Sequence, residues 1–152
     1  MNQLNIINEI FNNFNHEEWL KLKTSLPHRT LILDDINGIY TSNIKQYDKS
    51  KSNSKRGIYF HERYDTGEVL YVGQTDNNIA ARQSAHAANF KNTSTSEASG
   101  EKYRQYIRNN NLTELILNPY YIDLSHLPKG IAAAIEQRFI EYFKPIINRE
   151  EL

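Results

Sequence analysis

Two tripeptides, Gly57-Ile58-Tyr59 and Tyr71-Val72-Gly73, constrain this chain more than any other stretch. Each sets aromatic and β-branched residues beside a glycine, a combination at home in strands. The eleven residues between the two tyrosines contain Asp65-Thr66-Gly67, which suits a turn. Residues 57–60 and 69–72 are therefore expected as two adjacent antiparallel strands connected by 61–68. Strand-forming residues alone say nothing of function, so the weight falls on the polar residues that follow and on their order.

The helix pattern after this hairpin carries three of them. Asp76 or Asn77 can cap a helix running to about Asn89, and on it Arg82 and His86, four residues apart, share one face. Residues 91–101, rich in Ser, Thr and Ala, read as a loop, and 101–110 as a short helix with Tyr103, Tyr106 and Ile107 on one side. Residues 115–122 form a third strand. Pro128 opens a last long helix and Pro145 marks its end. Glu136 sits on that helix, and Ile131, Ile135, Phe139 and Tyr142 form a stripe with Ile140 and Phe143 close to the carboxylate. A carboxylate in apolar surroundings needs a cation. A hard oxygen ligand with several waters suits Mg2+ or Mn2+. On its helix alone, Glu136 also fits a solvated glutamate paired with Arg138 or Lys144.

Ahead of the hairpin, Leu4, Ile7, Ile10, Phe11 and Phe14 recur at helical spacing. Asn15 with Glu18 resembles a capping box for a second helix that Pro27 closes, and 30–33 reads as a strand. Residues 44–56 hold Lys45, Lys49, Lys51, Lys55 and Arg56 against Asp48 alone, a loop of strong positive bias. A second Gly-Ile-Tyr, residues 38–40, lies too far from Tyr71 to be its simple hairpin partner and is read as a strand or turn of this extension.

Taken jointly, Tyr59, Tyr71, Arg82, His86, Glu136 and the ending Lys144-Pro145-Ile146-Ile147-Asn148 resemble the GIY-YIG nucleases over roughly residues 56–148. The resemblance implies an α/β fold: a small antiparallel three-stranded central sheet flanked by helices. It divides the chain into an N-terminal helical extension, 1–55, and a nuclease core, 56–152, with an insertion near 91–111. It implies a metal-dependent endonuclease with Tyr59 as general base, Tyr71 orienting water or phosphate, Arg82 stabilising the pentacovalent charge, Glu136 holding Mg2+ or Mn2+, and Asn148 bracing the site. A free phenol ionises near pH ~10, so this base must be activated. Many members carry a lysine two residues before the second tyrosine; here Val69 stands in that place, and His86, whose imidazole titrates near neutrality, is the best candidate to accept the Tyr59 proton. His61 is expected as a solvent-exposed turn residue.

The charge balance, 18 Lys and Arg against 18 Asp and Glu, requires any nucleic-acid surface to be local. Lys45, Lys49, Lys51, Lys55 and Arg56, with Lys102, Arg104 and Arg108 in the insertion, are the candidates for DNA contact. With no cysteine, thiol catalysis, disulfides and Cys-ligated zinc are excluded. No apolar run reaches the length of a membrane span and the start lacks a secretion pattern, so a soluble cytoplasmic protein is expected. A catalytic domain with its own extension and insertion resembles a restriction-type enzyme cutting duplex DNA as a homodimer. A structure-specific or single-strand nuclease, or a noncatalytic nucleic-acid-binding module, are the alternatives.

Overall fold

The computed structural model describes residues 9, 15–34, 36–37, 39–42, 55–91 and 98–149. The expected helix over Leu4–Phe14 and the lysines at 45, 49 and 51 lie outside the described residues. Within them the elements run α1 (His16–Leu20), β1 (Thr24–Ser25), β2 (Arg29–Asp34), β3 (Ile39–Ser42), β4 (Gly57–Arg63), β5 (Val69–Thr75), α2 (Ile79–Lys91), α3 (Ala98–Asn109), β6 (Glu114–Asp123), α4 (Ile131–Phe143) and a 3-10 turn (Ile146–Asn148). The result is a mixed α/β fold on one antiparallel sheet of six strands, ordered β3-β2-β6-β4-β5, with β1 on the remaining length of β6.

The expected three-stranded unit β6-β4-β5 is present, but the sheet does not stop there. The extension adds β1, β2 and β3, so among the described residues it is mainly strand rather than helical. Its α1 is a single short turn. Asn15 caps it as expected, its Oδ1 accepting from the Glu17 and Glu18 amides. Pro27 does not close it, because the helix ends at Leu20 and β1 intervenes.

Strand β6 is the spine. It pairs with β4 over Leu117–Asp123 on one side, and on the other with β2 through Glu114–Leu117 and with β1 through Tyr120–Tyr121. Pro119 explains why that second neighbour is broken in two. A proline in a central strand cannot donate to the ladder, and Pro119 sits where β1 has ended and β2 has not begun. Its carbonyl accepts from the Leu26 amide at 2.9 Å, and no donor is missed.

Strand alternation then sorts the side chains. Ile58, Phe60, Val72, Tyr120 and Ile122 face α4, where Ile131, Ala132, Ile135 and Phe139 are buried, with Trp19 and Leu20 of α1 beside them. Leu31, Leu33, Leu70, Leu115 and Leu117 face Phe90 of α2 and Tyr103, Tyr106 and Ile107 of α3. Tyr59 and His61 alternate with Ile58 and Phe60, so they fall on the α2 side. A register shift in the hairpin pairs His61 with Tyr71 but Glu62 with Val69. The extra residue, Leu70, is a bulge that lets Leu70 and Tyr71 both serve the α2–α3 face.

Helix boundaries differ from the sequence expectation by local chemistry. Helix α2 is capped by Asn78, whose Oδ1 accepts from the Ala81 amide, rather than by Asp76 or Asn77. Helix α4 begins at Ile131, after Gly130 in the left-handed region at φ 95°, not at Pro128. Ile39 and Tyr40 of the second Gly-Ile-Tyr belong to β3, where Tyr40 pairs with Leu33 of β2 and not with β5.

Gly57 is where the sheet is tightest. It pairs with Asp123, and a Cβ there would stand 2.1 Å from the Ile122 carbonyl oxygen, both groups being backbone in the ladder. Gly57→Ala is expected to cost about 3 kcal/mol of stability, read from urea unfolding. A loss under ~1 kcal/mol would show that β6 shifts freely away from β4.

Candidate active site

The second motif glycine has a different reason from the first. Gly73 is the register partner of Tyr59, and a Cβ on it would lie 2.3 Å from Tyr59 Cζ and 2.5 Å from its hydroxyl. The Tyr59 ring therefore lies across the bare backbone of β5, and no side chain other than hydrogen fits under it. Tyr71, two residues earlier on β5, brings its ring centroid 6.0 Å from that of Tyr59. The paired tripeptides thus build a small polar floor in which one tyrosine is 1 % exposed and the other half-buried.

Helix α2 closes over this floor. Its inward stripe is Ile79, Gln83, His86 and Phe90, all buried, with Arg82 exposed next to it. His86 Nε2 lies 2.9 Å from the Tyr59 hydroxyl. Burial pushes the Tyr59 phenol above its ordinary value, opposed by the charge and hydrogen bond of Arg82 and by a hydrogen bond from Tyr71. Burial likewise pushes His86 well below the usual imidazole range, helped by the charges of Arg82 and Arg29. In the resting site the phenol is protonated and the imidazole neutral, and the two share this hydrogen bond. The Tyr71 phenol is raised by burial and by donating to Tyr59.

Glu136 of α4 is electrostatically coupled to this group. Its half-buried carboxyl is raised by burial, against which a hydrogen bond from Gln137 and the Arg82 charge act in the opposite sense. Its own charge acts on Tyr59 and Tyr71. Among the described residues no three His, Asp or Glu side chains converge as a metal-ligand group. A single partly desolvated carboxylate fits a magnesium-like ion that keeps several waters, and does not fit a closed protein cage.

Asn148 bonds backbone: its Oδ1 accepts the Val72 amide and its Nδ2 donates to the Val72 carbonyl, both at 2.8 Å, so it braces β5 between Tyr71 and Gly73. Beside it a groove of about 390 Å3 is lined by Ile140, Lys144, Pro145, Asn148 and Arg149.

The expected DNA-contacting cations fare differently. Arg56 turns inward and donates to the carbonyls of Ser125 and Leu127 at 2.9 and 2.6 Å. Arg104 is 2 % exposed, bonded to Glu101 and to the Phe90 carbonyl. Both tie elements of the fold together through these bonds. Arg108 bonds the Tyr40 hydroxyl and Glu101, and Lys55 lies 3.7 Å from Asp123. Lys102 is partly exposed on α3.

His61 is a correction. It is 1 % exposed, inside β4 rather than in the turn. Its Nε2 lies 2.7 Å from Gln83 Oε1 and its Nδ1 bonds the Tyr103 hydroxyl. Burial and the Arg29 charge bring its pKa down to about 3. Two signals in the sequence point to this group: His61 stands at i+2 from Tyr59 on a strand, and Gln83 falls on the same helical stripe as His86, between the apolar Ile79 and Phe90.

Searches against protein-family models, curated proteins and solved structures each return no match.

Both buried histidines bind a proton less readily in the folded chain than in the unfolded one. The unfolded state therefore takes up protons first as pH falls, and stability is lost from about pH 6.5 downward, for His61 until its folded value of about 3. Each contributes a slope of up to ~1.4 kcal/mol per pH unit. Urea unfolding at stepped pH checks this; a flat profile between about pH 6.5 and 5 would show that the folded chain protonates these rings freely.

Proposed function

We propose that this chain is a divalent-metal-dependent endonuclease of GIY-YIG type that hydrolyses DNA phosphodiester bonds, cutting duplex at specific sites as a homodimer in the manner of a restriction enzyme. The observation that carries this reading is the convergence of Tyr59, Tyr71, Arg82 and His86 from two strands and a helix, with the Glu136 carboxylate coupled to the same arginine. A binding module has no use for a hydroxyl–imidazole pair buried beside a desolvated carboxylate.

In this reading the attacking water gives its proton to the Tyr59 oxygen as the Tyr59 proton passes to His86 Nε2. The hydroxide adds to phosphorus, and the bond to the 3′ oxygen breaks. Hydrogen bonds from Tyr71 and Arg82 lower the cost of negative charge on the Tyr59 oxygen during this transfer. Arg82, the exposed member, is the one able to meet the charge that builds on the phosphate. Glu136 would hold Mg2+ or Mn2+, which when bound supplies charge stabilisation to the phosphate and the leaving oxygen. Lys144 and Arg149, which line the groove beside Asn148, are further candidates for substrate contact, Arg149 also donating to the Lys144 carbonyl at 2.9 Å.

The test is a panel of plasmid, linear duplex, branched and single-stranded DNA with Mg2+ and then EDTA, with Glu136→Ala in parallel. Discrete duplex fragments are expected, lost with EDTA and reduced by on the order of 10^3 in Glu136→Ala while DNA binding persists. Cutting confined to branched or unpaired DNA would replace the restriction-type reading with a structure-specific one, and no metal-dependent cutting would leave a binding module. In the Glu136→Ala background, Lys144→Ala and Arg149→Ala should each weaken duplex binding and reduce its salt slope by about 1. Unchanged slopes would take the groove out of the strand's path.

A further inference from the structure

Strand β4 and helix α2 are joined by two parallel hydrogen-bonded rungs. Tyr59 and His61 are i and i+2 on one face of β4; His86 and Gln83 are i and i−3 on one face of α2. One rung is Tyr59–His86 at 2.9 Å, the other His61–Gln83 at 2.7 Å. From the side, α3 reaches His61 through the Tyr103 hydroxyl. The His61 ring centroid lies 5.4 Å from that of His86, 5.6 Å from Tyr71 and 5.9 Å from Tyr59, so it stands in the middle of the candidate catalytic group without a bond to any of its members.

We infer that His61 is a positioning residue for the Tyr59–His86 pair: the His61–Gln83 rung, with Tyr103 behind it, fixes the rotation of α2 about its axis and thereby the hydroxyl-to-imidazole distance on which proton transfer depends. This rests on the nuclease reading for the reaction it serves, though not for the geometry. A single hydrogen bond between a strand and a helix leaves the helix free to roll about that contact; a second, one helical turn away, removes the freedom. Other polar ties of α2 are the Ile79 amide to the Lys55 carbonyl at its start, the exposed Arg82 side chain to Tyr59, and Arg104 to the Phe90 carbonyl near its end; the His61–Gln83 rung adds a buried side-chain tie in the middle of the helix, one turn from His86.

The rung closes in either of two proton arrangements. With Gln83 Oε1 toward the ring, His61 carries its proton on Nε2 and accepts from Tyr103 at Nδ1; with the carboxamide turned over, Gln83 donates to Nε2 and the ring donates from Nδ1 to Tyr103. In both, a Gln83 that is 0 % exposed spends its carboxamide on this one imidazole, the other end of the amide having no hydrogen-bond partner among the described residues. Burial keeps the ring neutral, so it adds no charge that would compete with Arg82.

Three measurements test the assignment. In wild type, imidazole 15N spectra should show His61 neutral and locked in a single tautomer; averaging between the two tautomers, or protonation in the ordinary range near pH 6.5, would overturn the rung whatever the variants do. His61→Phe keeps the ring and removes both bonds, and Gln83→Leu removes the same rung from the other side. Each should lower kcat by about 10^2 with KM unchanged and displace the His86 15N resonance, and the double variant should be no slower than either single. Unchanged kcat with an unmoved His86 signal in a folded variant would overturn the positioning role. If wild type cleaves no substrate, the nuclease reading fails, while the 15N spectra of wild type and variants still decide the rung.

Discussion

The contact between the Tyr59 ring and the bare Cα of Gly73 is what the rest of the site depends on. A tyrosine on a strand facing a helix layer points its hydroxyl away from the sheet, into the helices. Laid over a glycine instead, the ring hugs the sheet and its oxygen comes to the rim of β5, where Tyr71, Arg82 and His86 reach it from different elements. Because β5 is the outermost strand on that side, the oxygen is buried in the resting chain yet only one residue layer from the edge. Burial raises the phenol and depresses the imidazole together, so the pair is held neutral.

Much of this was legible in the chain because it is written in local patterns. The hairpin, the shared face of Arg82 and His86, and the Asn15 cap depend on neighbours within a few residues, where dihedral preference and periodicity speak directly. What the sequence hid is long-range. That residues 24–42 continue the sheet is decided by pairing with Glu114–Leu117 and Tyr120–Tyr121, some ninety residues away, and short strands of mixed polarity carry little signal of their own.

The structural use of two arginines was hidden for the same reason. Arg56 and Arg104 look like surface cations until the carbonyls of Ser125, Leu127 and Phe90 are brought to them. A long side chain with five donors serves a buried acceptor as readily as a phosphate, and composition does not distinguish the two uses. His61 was misplaced because the strand runs on past the first motif to Arg63, carrying the histidine from the expected turn into the core.

Asn148 has a consequence beyond bracing. An outermost strand presents free amides and carbonyls to any passing extended segment, and such edges invite intermolecular pairing. Here the Asn148 carboxamide satisfies both outward groups of Val72 in the manner of a single strand residue, and the 3-10 turn from Ile146 holds it there. The edge that carries Tyr71 is thereby kept from recruiting a foreign β-strand at its midpoint, which guards against aggregation there.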